Sequence, residues 1–268
     1  MSLKTTSQRK LTGSRFNSTN AATQAITGTT KAIFGYGYGG SNTNLSIKNL
    51  VSNTGVVATD TTGVGTARNG LAAAGYGSDK AIFGYGNASG TYVSVTNLVS
   101  NTGVVATDTT GVGTVRRDLK AARYGSDKAI FGYGYTGAAV SMTNLVSSTG
   151  VVATDTTGVG TARYSPSATG YGGDKAIFGY GTTGAVVSMT NLVSNTGVVA
   201  TDTTGVGTAR YVLAAAGYGA DKAIFGYGYV AGAVSMTNKV SNTGVVATDT
   251  TGVGTARYGP AAAGYSSS

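Results

Sequence analysis

Aspartate, arginine and tyrosine are the residues of this 268-residue chain that could do chemistry, and most of them recur at a regular spacing. The ten aspartates are the only side-chain carboxylates, because the sequence has no Glu, and it also has no Cys, His or Trp. These absences exclude disulfide frameworks, Cys/His metal sites and Ser-His-Asp or Cys-His triads. Glycoside cleavage by aspartates alone needs two carboxylates of unlike environment in one cleft. We therefore expect a protein that is not an enzyme and has no metal or cofactor.

Fourteen of the charged residues fall into three series, whose members recur every 47 or 48 residues. The series are Asp60, Asp108, Asp155, Asp202 and Asp249; Asp79, Asp127, Asp174 and Asp221; and Arg68, Arg116, Arg163, Arg210 and Arg257. A single reaction centre does not need five copies of each residue. We expect these side chains to cap turns or to pair between neighbouring units; a functional ion site is the alternative interpretation.

The periodicity comes from an internal repeat. The string Lys-Ala-Ile-Phe-Gly-Tyr-Gly begins at residues 31, 80, 128, 175 and 222, which gives spacings of 49, 48, 47 and 47. Each copy contains four short segments rich in β-branched and aromatic residues, separated by Gly, Asn, Asp and Ser, and no helical periodicity persists. In one unit they are segment A (Ala72–Gly77), B (Lys80–Tyr85), C (Val93–Ser100) and D (Val104–Thr107). The sequence therefore predicts an all-β protein.

Units of this length with four antiparallel strands are typical of a β-propeller. We predict a five-bladed β-propeller of four-stranded antiparallel blades over residues 31–268, preceded by a basic N-terminal extension, residues 1–30. The alanine-rich segment A is too small to cover a sheet face but suits the innermost strand, where blades crowd the axis. An array of β-sandwiches is the alternative.

The last copy ends in an A segment that has no B segment after it. We predict that this C-terminal strand, residues 261–265 (Ala261–Tyr265), closes the first blade by pairing with Lys31–Tyr36 and so removes the open sheet edges. Asn20–Ile26 competes for the same position. If that segment occupies it, the C-terminal strand could be donated to another subunit.

Positive charge is concentrated in the N-terminal extension. Lys4, Arg9, Lys10 and Arg15 supply +4 of the net +9, which leaves +5 for the remaining 238 residues. This pattern indicates a basic attachment arm and not a body that binds nucleic acid. No apolar run of signal-peptide length lies near Met1, and no run of 18 apolar residues occurs, so we expect neither an export signal nor a membrane span.

The order of motifs resembles Kelch-type propeller repeats. It runs from Arg through Ala-Ala-Ala-Gly and Phe-Gly-Tyr-Gly to Thr-Asn-Leu-Val and Asn-Thr-Gly, and the resemblance covers residues 68–265. The near-identical copies also resemble repeats of phage tail-fibre proteins. Two features depart from the Kelch pattern: Gly35-Tyr36-Gly37 stands where adjacent glycines are usual, and Val56 or Val104 stands where a tryptophan opens the fourth strand.

The copies differ from one another mainly in two loops. The B–C loop has eight, seven, six, six and six residues in successive copies, and the D–A connection after the repeated arginine varies in sequence. In a meander both loops emerge on one face, which predicts a rigid scaffold with recognition loops. Tyr, Ser, Asn and Thr suit an adaptable binding surface; neutral drift is the alternative. The predicted ligand-binding residues are Tyr38, Asn42, Asn69, Asn87, Tyr92, Arg117, Asp118, Lys120, Tyr135, Tyr164, Ser165, Thr182, Thr183, Tyr211, Tyr229 and Tyr258.

Together these features predict a non-enzymatic structural or recognition protein of a virion, such as a phage tail fibre, spike or capsid-attached protein; the phage attribution is what the resemblance implies. It would assemble in the host cytoplasm, contact other virion proteins through residues 1–30, and bind a host-surface glycan or receptor. One alternative is an extracellular, soluble, lectin-like five-bladed propeller. Another is a filament or decoration protein that self-assembles through a donated terminal strand.

Overall fold

The computed structural model describes residues 31–40 and 43–264, and this part of the chain is all-β, without an α-helix. Its fourteen strands form five antiparallel sheets, numbered here along the chain. Sheet 1 contains β1 (Ala32–Tyr38) and β2 (Asn44–Val51); sheet 2 contains β3 (Ala72–Tyr76), β4 (Lys80–Ala88) and β5 (Thr91–Val99); sheet 3 contains β6 (Lys120–Tyr124), β7 (Lys128–Tyr135) and β8 (Ala139–Val146); sheet 4 contains β9 (Ser167–Tyr171), β10 (Lys175–Gly179) and β11 (Thr190–Val193); sheet 5 contains β12 (Ala214–Tyr218), β13 (Lys222–Tyr229) and β14 (Ala233–Val240).

The predicted all-β class is confirmed, with the A, B and C segments paired in that order in sheets 2 to 5. The D segment forms isolated bridges instead of a continuous strand. In sheet 2 these join Val99 to Val105 and Thr96 to Thr109. Between the two bridges, Asp108 accepts hydrogen bonds from Thr66 of the preceding unit. Segment D, with the two residues that follow it, therefore contacts both its own sheet and the neighbouring unit.

Each B strand turns sharply at the tyrosine of Phe-Gly-Tyr-Gly. In β4 the register shifts between Gly84 and Gly86, and Tyr85 has a φ of 64°. Gly86 has a φ of 118°, and a Cβ at this position would lie 2.7 Å from the Asn69 carbonyl oxygen. Only glycine fits this combination of backbone angle and close approach. The bulge aims the Tyr85 ring at the next sheet.

The A strands form a row through the molecule. β3 contacts β6, β6 contacts β9, and β9 contacts β12. The A–B turns are joined by backbone hydrogen bonds such as that from Gly77 N to Asp127 O, at 2.6 Å. Alanine and glycine allow this close packing, since a larger side chain would hold the strands apart. The sheets therefore meet along their small A strands.

The predicted pairing of the C-terminal strand with β1 is not formed in the described residues. Residues 261–264 carry no strand pairing, and Tyr265 lies outside the described part of the chain. Phe34 on β1 is 58% exposed, whereas the equivalent Phe131 on β7 is fully buried. The competing segment Asn20–Ile26 and the arm, residues 1–30, also lie outside the described residues. Ring closure stays a prediction.

Nowhere in the described part of the chain does a helix have the length and apolar character needed to cross a membrane.

Candidate functional site

A buried arginine joins each sheet to the next and holds the loops in place. Arg116 is fully buried, and its guanidinium carbon lies 4.2 Å from the centroid of the Tyr85 ring. Its Nε donates to the Tyr133 carbonyl oxygen at 2.9 Å, and its Nη2 donates to Asn144 Oδ1 at 2.6 Å. The same arrangement occurs at Arg68, Arg163 and Arg210. We call this arrangement the arginine joint.

An aspartate completes the arginine joint. Asp155 accepts hydrogen bonds from Thr114 Oγ1 at 2.6 Å and from Asn144 Nδ2 at 2.9 Å, and its Oδ1 lies 3.8 Å from Arg116 Nη1. Burial opposes ionisation of Asp155, but the hydrogen bonds from Thr114 and Asn144 outweigh it and lower the pKa of the carboxyl group. Two of the charged series found in the sequence thus meet between units, where they connect sheets.

The tyrosine of the joint is largely removed from water. Burial raises the pKa of Tyr85, Tyr133 and Tyr180 to about 12, although the neighbouring arginines oppose the shift. Each ring also meets the phenylalanine of the following sheet edge to face; Tyr85 and Phe131 have centroids 5.2 Å apart. The role of this tyrosine was missed in the sequence. Its signal was the fixed co-occurrence of one such tyrosine and one arginine in every unit.

The two variable loops meet on one face of the array, as the meander requires. Residues of the D–A and B–C loops form β-bridges between Asn69 and Asn87, Arg117 and Tyr135, Tyr164 and Thr182, and Tyr211 and Tyr229. We call the surface formed by these residues the variable face. On the opposite face the A–B and C–D turns meet, where Asn101 Nδ2 donates to Asp79 Oδ2 at 3.1 Å.

One half of the variable face carries three tyrosines and an arginine. Tyr135 contacts Tyr92 and Tyr164 edge to face, with centroid distances of 6.3 and 5.1 Å. The Arg117 guanidinium lies 5.1 Å from the Tyr135 centroid, and its Nε donates to the Tyr92 hydroxyl at 3.2 Å. Asp118 forms an ion pair with Arg117. All three rings remain partly exposed, so they offer aromatic area to a ligand.

Beneath this cluster lies the charged residue Lys120, at a position that is Ala72, Ser167 or Ala214 in sheets 2, 4 and 5. Burial lowers the pKa of Lys120, and the nearby Asp118 carboxylate opposes the shift. Burial raises the pKa of Asp118, against the effect of Arg117 and Lys120. This group of charges occurs in one unit, so the variable face is not symmetrical.

A second group of three tyrosines occupies the other half of the variable face. Tyr229 contacts Tyr211 and Tyr258 with centroid distances of 5.8 and 5.3 Å, both edge to face. No cation–π contact occurs here among the described residues. Thr182, which is bridged to Tyr164, separates the two groups along the chain. The second group therefore has three tyrosines in contact, like the first group, but has no arginine equivalent to Arg117.

The remaining predicted residues are distributed as follows. Asn69 donates to Asn44 Oδ1 at 2.7 Å, and Asn87 Oδ1 accepts from Gly90 N in its own loop. Thr183 Oγ1 donates to the Ala185 carbonyl oxygen. Ser165 N donates to Asp118 O between units. Tyr38 is 58% exposed and stands apart from the tyrosine groups, and Asn42 lies outside the described residues.

No protein-family model and no curated protein matches the chain.

Proposed function

We propose that the protein is a non-enzymatic recognition module of a virion, which presents the variable face to a host-surface glycan. The observation that carries this proposal is that tyrosines of the loops that differ between copies form two partly exposed groups on one face. Tyrosine supplies large contact area at low entropic cost, and its hydroxyl group adds a hydrogen-bonding atom. The arginine joints fix the sheets that carry the variable face relative to one another. Binding a ligand therefore costs little conformational entropy.

The proposal includes a finer fold, a propeller blade in which segment D is the fourth strand. It is supported by the two bridges that each D segment and the residues directly after it make with the C strand, and by the row of A strands where sheets meet. The virion assignment draws on the resemblance to phage tail-fibre repeats. In this assignment the basic arm, residues 1–30, attaches the module to other virion proteins, and the variable face remains accessible.

A glycan array probed with the full chain tests the recognition role. We expect binding that is lost in Tyr135→Ala and weakened about tenfold in Arg117→Ala, because central aromatic and arginine anchors carry most of the binding energy of an interface. Val198→Ala is the matched control, since this side chain is exposed and follows a C–D turn on the opposite face. Absence of binding to any glycan, or equal loss in the control, would contradict the proposal.

A soluble lectin-like propeller is the second candidate, favoured by the repetition of the arginine joint between sheets. Such a lectin would use equivalent pockets between units. Binding measured by titration calorimetry at about five equivalents of sugar would support the lectin. Binding of about one equivalent of sugar, at a site that is sensitive to Arg117→Ala, would support the asymmetric recognition module, since this arginine has no counterpart in the second tyrosine group.

A further inference from the structure

The two ends of the array carry the two halves of one arginine joint. At the first end, sheet 1 presents Phe34, Asn49 and Asp60, which we call the leading face; Phe34 and Asp60 are exposed and Asn49 is half-buried. At the other end, the chain after sheet 5 exposes Thr255 and Arg257 beside Tyr227, which we call the trailing face. In the four internal joints, residues at these same repeat positions contact one another.

The polar half of the joint is incomplete at both ends. Arg210 donates from Nε to Tyr227 O and from Nη2 to Asn238 Oδ1, whereas the Arg257 guanidinium group donates only to Thr255 O within the described residues. The residue of sheet 1 equivalent to Asn238 is Asn49, whose Nδ2 already donates to Asp60 Oδ1 at 2.8 Å. Asn49 and Asp60 are therefore arranged as in a complete joint and lack only the arginine and the threonine.

The apolar half is incomplete in the same way. Tyr227 has the Arg257 guanidinium 3.8 Å from its ring centroid, as in every joint. The equivalent Tyr180 also meets Phe225 edge to face at 5.2 Å, and Phe225 is fully buried. Phe34 is the member of this phenylalanine series that is 58% exposed. Within the described residues, Phe34 thus lacks the edge-to-face tyrosine that Phe83, Phe131, Phe178 and Phe225 each have.

Backbone groups at the two ends also match. A ladder of hydrogen bonds between units runs from Asp118 N to Gly70 O, continues through Ser165 and Val212, and ends with Gly259 N donating to Val212 O. Within the described residues, the backbone groups of this ladder that have no hydrogen-bond partner are Gly70 N at one end and Gly259 O at the other. Beyond β12, the Ala261–Gly264 segment continues the row of A strands, since a Cβ on Gly264 would lie 2.8 Å from Gly217 O.

We propose that the trailing face of one copy binds the leading face of a second copy, so that the chains associate head to tail through a fifth arginine joint. In this joint Arg257 donates to Asn49 and to the Tyr36 carbonyl oxygen of the other copy, Thr255 donates to Asp60, and Phe34 packs on Tyr227. We assign the partner as a second copy because, within the described part of one chain, no hydrogen bond or β-bridge joins Asn49 or Asp60 to Thr255 or Arg257. A face that binds a different face gives rings or filaments.

One residue of the trailing face differs from its equivalents in the other sheets and weakens the proposed contact. Leu98, Leu145 and Leu192 each lie against the C–D turn glycine of the next sheet, but the equivalent residue of sheet 5 is the exposed Lys239. In the free chain, the charged lysine side chain keeps the trailing face hydrated. In the interface it removes the apolar contact that leucine makes with the turn glycine, as expected of a terminal repeat. We therefore expect a weak, concentration-dependent association that Lys239→Leu strengthens.

Sedimentation velocity of the full chain over a hundredfold concentration range tests the proposal. We expect the mean mass to rise with concentration, and Arg257→Ala or Asp60→Ala to weaken the association about tenfold or more, as for central anchors of an interface. Both residues are exposed at the ends of the array, so their replacement leaves the internal joints intact. Arg123→Ala, at an exposed arginine of β6, is the matched control and should leave the mass unchanged.

A mixing experiment distinguishes head-to-tail association from other outcomes. Arg257→Ala retains its leading face and Asp60→Ala retains its trailing face, so an equimolar mixture should form dimers that do not grow further. A chain that stays monomeric at all concentrations, as a ring closed within one chain would, overturns the proposal. So does association that is unchanged in either variant or in Lys239→Leu. The proposed glycan recognition does not depend on the result, since Tyr135 and Arg117 lie in neither end face.

Discussion

The Arg116 guanidinium lies between sheets 2 and 3, 4.2 Å from the centroid of the Tyr85 ring and within hydrogen-bonding distance of Asn144 Oδ1, at 2.6 Å. Sheets of this size cannot bury both faces alone, and the guanidinium group links them by satisfying backbone and side-chain acceptors that would otherwise be buried without a donor. Burial lowers the pKa of Arg116, and the Tyr85 ring and the Asp155 carboxylate oppose the shift. The residue remains a cation because arginine does not deprotonate in proteins.

Replacement of a joint arginine should strongly destabilise the array. Arg163→Ala leaves the Tyr180 carbonyl and Asn191 Oδ1 buried without their donor and opens a cavity under the Tyr133 ring. We expect a loss of about 3 kcal/mol in the free energy of unfolding, measured by urea denaturation. Arg123→Ala, at an exposed arginine, should change it by less than about 0.5 kcal/mol. Equal effects would refute the joint as the main link between sheets.

The glycine that follows each joint tyrosine should not tolerate a side chain. Gly134 has a φ of 117°, and a Cβ there would lie 2.9 Å from the Arg117 carbonyl oxygen. We expect Gly134→Ala to lower the free energy of unfolding by about 1 to 3 kcal/mol. Gly232 is the control, because a Cβ there meets nothing within 4 Å. Gly232→Ala should be neutral or slightly stabilising, and a similar loss in both variants would contradict the steric argument.

Acid should weaken the links between units. The hydrogen bonds from threonine and asparagine outweigh burial and lower the pKa of Asp108, Asp155, Asp202 and Asp249. Their ionised form is favoured in the folded state, so this stabilisation is complete above the unfolded pKa of about 3.9 and is lost as pH falls below it. We expect the urea midpoint to drop between pH 5 and pH 3. Asp155→Asn should reduce the drop, and a midpoint independent of pH would contradict the expectation.

The joint tyrosines should ionise late in an alkaline titration. Burial raises the pKa of Tyr85, Tyr133 and Tyr180 to about 12, so the folded state retains their protons above the usual value near 10. The linked stabilisation is present below pH 10 and is lost as pH rises towards 12. Tyrosinate absorbance should show three groups that titrate near pH 12. Tyr133→Phe should leave two of them, and an unchanged late step would show that the assignment is wrong.

Several features of the variable face could be predicted from the sequence, and others could not. The length differences between copies located the B–C loop, and the meander order predicted that it shares a face with the D–A connection. The contact of Arg117 with Tyr92 and Tyr135 was not predictable, because these residues lie 25 and 18 positions away and meet only after two sheets pack together. The sequence placed Lys120 on this face too, but only the packed array shows that it is half-buried and close to Asp118.

By itself, the sequence determined the five units, their β-strands and the small A segments, because strand propensity, turn residues and a repeated string act over short distances along the chain. The tertiary structure decided which residues link one unit to the next and what the ends look like. The arginine joint depends on packing across units, so the same arginine is fully buried at position 116 and exposed at position 257. Similar local sequences therefore have different environments, because the next sheet supplies the partners of Arg116 and, in the described residues of one chain, no sheet follows Arg257.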